Sequence, residues 1–227
     1  MKSFQQRSFN SSLFRPKPEI LDETQNNALI ISTPWGARAG AEKAIQVVQD
    51  YYFSARSDMD STSPFEFLTC LSSAGNDLRV SIMLANDKVF KEENQNEYSS
   101  GCELLAIVQS NQELCWVQIG HPAMFLARKG VGIVPLCANL DLALDVSSSE
   151  KLLSPLPSTL LGVHETSNFS VHSMAPQEGD KIILISRTFI PASFYALDAE
   201  SISVEKLVQI LAADNPENPF WTGVIDF

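Results

Sequence analysis

SGCELLAIVQSNQELCWVQIGHPAMFLARKGVGIVPL, residues 100–136, decides the fold class. Runs of strand-forming residues at 102–109 and 113–119 flank the turn formers Ser110-Asn111-Gln112. Two more, at 123–128 and 131–136, flank Lys129-Gly130. Short apolar runs joined by tight polar turns are hairpins, and hairpins build antiparallel sheets. A doubly wound parallel sheet is excluded, because it needs a helix between successive strands.

Upstream of a polar loop at 92–100 the apolar period lengthens. Ala41, Ala44, Ile45, Val48 and Tyr52 recur at the spacing of one helical face. Ser63-Pro64-Phe65-Glu66 supplies a cap, a first-turn proline and a capping-box acid. It predicts a second helix there, with a stripe through Phe67, Leu71, Ala74, Leu78, Ile82, Ala85 and Val89. ALIIST at 28–33 reads as a buried strand stopped by Pro34-Trp35-Gly36, and Asp22 and Glu23 read as a solvated hairpin turn. Downstream, 137–160 is turn-rich and takes no assignment. Strands are expected at 168–174 and 181–186 around a turn at 176–180. Ser203 caps a helix carrying Val204, Leu207, Val208 and Leu211, and 220–227 closes as a strand. Helices and strands are grouped rather than alternating, which makes the chain α+β: two antiparallel sheets with helices outside.

The 227 residues suit one domain, spanning 1–227, with the basic segment 1–17 as a first strand or an arm. An apolar fraction of 44% supplies a core, and a charged fraction of 19% is too low for general disorder. Lys and Arg number 16 against 27 Asp and Glu, a net charge of −11. That balance disfavours nucleic acid and anionic membrane surfaces, which recruit basic proteins. Lys2, Arg7, Arg15 and Lys17 precede any acid, while Asp198, Glu200, Glu205, Asp214, Glu217 and Asp226 crowd the end around Lys206. This asymmetry reads either as an intramolecular attraction between the ends or as two solvated faces, and the second is the reading preferred. Cys70, Cys102, Cys115 and Cys137 form no CxxC pair and read as buried free thiols. With no apolar leader and no membrane-length run, a cytoplasmic location is expected.

Five segments, in order, resemble the metal-dependent protein phosphatase family (PPM, or type 2C). STPWGARAGAEKA at 32–44 is similar to the family's ADGMGGHAGGEKA, and SGCELLAIV at 100–108 to its S-G-T-T-hydrophobic strand. WVQIGHPAMFLARKG at 116–130 resembles the strand pair around V-G-D-S-R, and EGDKIILISRTF at 178–189 the G-D-hydrophobic-S-D-G segment. NPFWTGVIDF at 218–227 resembles the final D-N-hydrophobic-T strand. The resemblance implies a four-layer α-β-β-α sandwich of two antiparallel sheets flanked by helices. It also implies serine/threonine phosphatase chemistry on two manganese or magnesium ions held by aspartates. Arg15, followed by Glu19 and Ile20, has the spacing of the family's R-x-x-N-E-D, whose arginine contacts substrate phosphate.

Carried across residue by residue, the ligands are mostly gone. The first aspartate falls on Ile20, the bridging Asp-Gly on Thr33-Pro34, and the aspartate of S-D-G on Arg187. Hard cations need anionic oxygens. A guanidinium at about 4 Å would oppose a dication by roughly 8 kcal/mol at an effective dielectric constant of about 20. Glu19 is the residual acid, joined by Asp214-Asn215 or Glu217-Asn218 at the close; Asp22 and Glu23 could shift toward the gap at Ile20. Gly120-His121-Pro122 replaces G-D-S, and His121 reads as a turn residue, since His164 and His172 show no pairing spacing with it. The glycine-rich start of the first helix, 36–40, can attract anions, or is simply a loop inherited with the fold.

Three functions follow from the resemblance and its departures. The first is a pseudophosphatase with no catalytic residue, metal or other cofactor, acting as a binding or regulatory module for a protein partner such as a phosphoprotein or kinase. The second is a phosphate reader that uses Arg15 and Arg187. In this reading Arg187 has a plainer alternative, pairing with Glu19 or a late acid to fill the hole. The third is a weak, divergent phosphoprotein phosphatase that holds manganese or magnesium through Glu19 and a C-terminal acid.

Overall fold

The computed structural model describes residues 1–11, 13–57, 63, 65–137, 141–146, 153 and 155–227. Strands run β1 (Ser3–Phe9), β2 (Glu19–Glu23) and β3 (Ala28–Gly36), followed by helices α1 (Ala39–Ser57) and α2 (Ser73–Val89). The two hairpins give β4 (Ser100–Ser110), β5 (Glu113–Ile119), β6 (Ala123–Arg128) and β7 (Gly132–Cys137). After a short α3 (Ala143–Val146) come β8 (Val171–Met174), β9 (Lys181–Ser186), α4 (Ala192–Tyr195), α5 (Val204–Asp214) and β10 (Phe220–Asp226). The strands form two five-stranded antiparallel sheets, ordered β1-β10-β9-β6-β7 and β2-β3-β4-β5-β8, each flanked by its own helices. This is the α+β architecture that the hairpins predict. No helix among the described residues is long and apolar enough to cross a membrane.

The chain divides into two compact units. One comprises Pro16–Ile119 and Thr159–Ala175; the other comprises Met1–Arg15, Gly120–Ser158 and Pro176–Phe227. In the first, α1 and α2 cover one face of their sheet, closing Val48, Leu78 and Ile82 over Ile30, Leu104 and Ala106. Their burial is the hydrophobic term that holds the helices down. Side chains alternate along a strand, so Ile20, Ile31, Thr33, Glu103 and Leu105 share the opposite face. In the second unit, α5 turns Val204, Leu207 and Leu211 onto Phe125, Ile183 and Phe220, as its stripe predicts. Its cap is as expected: the Ser203 hydroxyl accepts from the Lys206 N–H at 3.3 Å.

Several local expectations are corrected. Helix α2 starts at Ser73 with Ser72 as its cap, accepting from the Gly75 N–H at 3.1 Å. Ser63 instead makes a local turn with Phe65, and Pro64 lies outside the described residues. The Asn76 amide explains the shift: it donates to the Leu68 carbonyl at 3.0 Å and accepts from the Leu68 N–H at 2.8 Å. The preceding segment is thereby clamped as a loop, leaving Phe67 and Cys70 exposed rather than buried. From Ala74 onward the stripe is buried as read, and a π-helical turn, Phe90–Asn94, occupies the start of the expected polar loop. Cys102 and Cys115 are buried, and burial pushes their thiols up to about 12 and about 11.

Pro34 does not stop β3, which continues to Gly36. It pairs with Cys102, whose own N–H and C=O turn away to Leu161. The missing proline N–H therefore faces the side that β2 has left, since β2 pairs no further than Ser32. Asp22 and Glu23 are strand residues, and the turn is Thr24–Asn26 with Asn27 left-handed at φ 59°. The charged ends are not two separate faces. Strand β1 pairs along β10, the Ser3 hydroxyl donates to Asp226 at 2.7 Å, and Arg7 stands 3.9 Å from Glu205.

Asp180 is the buried charge on which the second unit's hairpins lean. Arg128 donates to it through Nε at 2.8 Å and Nη2 at 2.7 Å, and the Gln177 N–H adds a bond at 2.8 Å. Burial raises its carboxyl, but these donors outweigh burial and hold it below the ordinary aspartate value. A depressed folded value gives stability that is present at neutral pH and lost as pH falls through it. Asp180→Asn is expected to cost roughly 3 kcal/mol in urea unfolding at pH 7. The gap from wild type should narrow below about pH 4.

Candidate functional site

The residues that align with family ligands fall on both units, and each set is described on its own unit. On the first, β2, β3 and β4 lie side by side. Ile20 pairs with Ile31 and offers no ligand atom. Thr33 pairs directly with Glu103 across the β3–β4 ladder. Both are buried, and the Thr33 hydroxyl has no hydrogen-bond partner among the described residues. The Glu103 carboxylate accepts the Trp35 indole N–H at 3.2 Å.

Glu103 is the site residue that the sequence reading passed over. Its signal was present, as an acid inside the otherwise apolar run CELLAIV. The family-type segments place a carboxylate at the position of Thr33 and a hydroxyl at that of Glu103. In this chain the two are exchanged across one cross-strand pair.

Glu19 points to the opposite sheet face from Ile20 and is in contact with Arg38, which is also 3.8 Å from Glu42. Asp22 accepts from the Thr24 N–H at 3.1 Å and Glu23 from the Asn26 amide at 2.8 Å, so each is spent on its own turn. The glycine-rich entry to α1 is answered internally. The Ala37 N–H donates to the Ser99 carbonyl at 2.9 Å and the Gly40 N–H to the Ser100 hydroxyl at 3.1 Å. Gly36 has φ 89° and lies so close to the Ser99 carbonyl that a side chain would collide with it.

On the second unit, Arg187 follows β9 directly and is buried. Its Nη1 donates to the Leu211 carbonyl at 2.6 Å and its Nη2 to Asp214 at 2.9 Å, while its guanidinium carbon lies 5.7 Å from the Phe220 ring centre. Burial pulls its pKa down and Asp214 opposes that shift. Of the alternatives for its partner, the late acid is the one found. Asp214 ends α5, whereas Glu217-Asn218 leads into β10, with the Asn218 amide buried and without a partner among the described residues. Arg15 is half-buried in the same unit. A phosphate approaching Arg187 would have to displace Asp214. His121 lies in a bend, its Nε2 3.6 Å from Asp141, which accepts from the Ala143 and Leu156 N–H groups at 2.9 Å each. Neither His164 nor His172 is its partner in that contact.

Among the described residues no three His, Cys, Asp or Glu side chains gather as a metal-holding group. Isoleucine, a neutral hydroxyl, proline and a guanidinium are not the anionic oxygen set that hard cations require, so the residues do not fit a two-ion centre.

No protein-family model matches the chain, and no curated protein matches it in sequence. Solved structures match its fold. The PPM Ser-Thr phosphatase MsPP from Mycobacterium smegmatis, in complex with cacodylate, is 16% identical with a TM-score of 0.64, covering 100% of this chain and 98% of that one. The serine/threonine phosphatase PstP/Ppp of Mycobacterium tuberculosis is 17% identical with a TM-score of 0.64, covering 99% and 98%. PppA of Pseudomonas aeruginosa, a regulatory component of its T6SS, is 15% identical with a TM-score of 0.67, covering 99% and 96%. Identities of this size carry the fold and nothing further.

Glu103 and Glu19 should differ sharply in weight. Trp35→Phe removes a donor from a buried carboxylate and is expected to cost about 1–3 kcal/mol in urea unfolding. Arg38→Ala breaks a pair whose arginine is 61% exposed. It should cost less than about 1 kcal/mol.

Proposed function

We propose, on the premise that this chain has the fold of the PPM serine/threonine phosphatases, that it is a pseudophosphatase: a phosphatase-like body that binds a protein partner and does not hydrolyse phosphoesters. The observation that carries the reading is the exchange across β3 and β4. The strand position of the bridging carboxylate holds the neutral Thr33, followed by Pro34. The carboxylate on the facing strand, Glu103, is engaged by the Trp35 indole. Paired ions would supply the hydroxide and clamp the attacking and leaving oxygens, and only a shared anionic ligand holds two dications together. A single hydroxyl lacks the charge to offset their repulsion.

With hydrolysis set aside, the partner is another protein. A net charge of −11 disfavours nucleic acid and anionic lipid, and a phosphoprotein or kinase is the partner class we favour, met in the cytoplasm. The test is turnover of p-nitrophenyl phosphate and of a phosphothreonine peptide with manganese or magnesium added. Rates no higher than the metal-only blank are expected. Metal-dependent turnover that disappears in Thr33→Ala or Glu103→Gln would overturn the reading.

A further inference from the structure

Asp214 occupies an unfavourable place for a carboxylate. It is the last residue of α5, where unsatisfied carbonyls and the negative end of the helix dipole gather. The Leu211 carbonyl lies in this last turn, where it accepts only one long backbone bond, from the Asn215 N–H at 3.4 Å. Arg187 reaches this point from the end of β9 and answers both groups with separate nitrogens, at 2.6 Å to the Leu211 carbonyl and 2.9 Å to Asp214. Its guanidinium also lies against Phe220, the first residue of β10. With Arg187 only 1% exposed, its charge is met by these protein groups and not by water, while its Nε finds no hydrogen-bond partner among the described residues. The planar fork of an arginine suits this task; a lysine ammonium would reach one group well and the other poorly.

We propose that Arg187 is a resident cation, covalently part of the chain, which does here the charge-balancing work for which the resemblance would call on a bound dication. It ties the end of β9, the end of α5 and the start of β10 together at one positive charge. The inference rests on the reading of this chain as a phosphatase-like body without its ions. Its corollary is that removing the guanidinium exposes an oxygen pair, the Asp214 carboxylate and the Leu211 carbonyl, that a hard external cation can bind.

Thermal unfolding of the full chain, with manganese chloride, ethylguanidinium chloride or EDTA added, separates the outcomes. Wild type should show the same Tm in manganese and in EDTA. Stabilisation of wild type by manganese would sink the metal-free reading itself, whatever the variants do. Arg187→Ala should lower Tm by roughly 8 °C. Either manganese or ethylguanidinium at millimolar concentration should recover part of that loss, and neither should help Arg187→Ala combined with Asp214→Ala. A loss that neither cation recovers means that Arg187 acts by packing alone, and it overturns the proposal. Where Arg187→Ala does not fold, Arg187→Lys and Arg187→Met decide the matter. Lysine should retain a Tm several degrees above methionine, and equal losses would overturn the proposal too.

Discussion

The antiparallel register between β3 and β4, from Ala28 against Val108 to Gly36 against Ser100, is the constraint on which the first unit depends. Because side chains alternate, this one register sends Ile30, Leu104 and Ala106 under the helices and Thr33 and Glu103 to the other face. A slip by one residue would exchange those sets, placing an acid under α1 and α2 and apolar groups where the ladder meets its polar end. Leu29, Ile31, Leu105 and Ile107 on that other face are buried too, so the cost of such a slip falls chiefly on the acid carried under the helices.

A second pattern joins the two units without any contact between them being needed. At three positions of interest a protein donor already holds the carboxylate: Arg38 for Glu19, Trp35 for Glu103 and Arg187 for Asp214. An ion-binding cleft needs the reverse, carboxylates kept short of donors so that they repel one another until a cation arrives. Each of these acids is instead balanced locally, and this is the arrangement on which the proposed pseudophosphatase reading rests.

Most of the fold was legible because hairpins and amphipathic helices announce themselves locally. The β4–β7 run, α1, α5 and the Ser203 cap are all read from neighbouring residues. The misreadings share one cause: the decisive partner is distant in sequence or of an unexpected type. Ser63 and Ser72 are both adequate caps, and the Asn76 amide, bonding back to Leu68, chooses between them. Pro34 reads as a stop unless one knows that β2 has already ended beside it. At the site, the losses at Ile20, Thr33 and Arg187 were visible in order along the chain. The gain at Glu103 and the partnership of Arg187 with Asp214 were not, because each is defined by a neighbour on another element.

The pairing of β1 with β10 also places a condition on how the chain is made. Ser3 through Phe9 find their ladder partners only in Asp226 back to Phe220. A ribosome delivers β1 first and β10 last among these strands, so β1 emerges without its partner and must wait for the sheet that receives it. Pro16–Ile119 meanwhile holds four of the five strands of the other sheet and both of its covering helices, with only β8 still to come. Long-range closures of this kind are slow, because the chain entropy of the loop is lost before the contacts that reward it form. Synthesis therefore proceeds with one unit close to complete and the other held open at β1, until β10, the later of the paired strands, closes it.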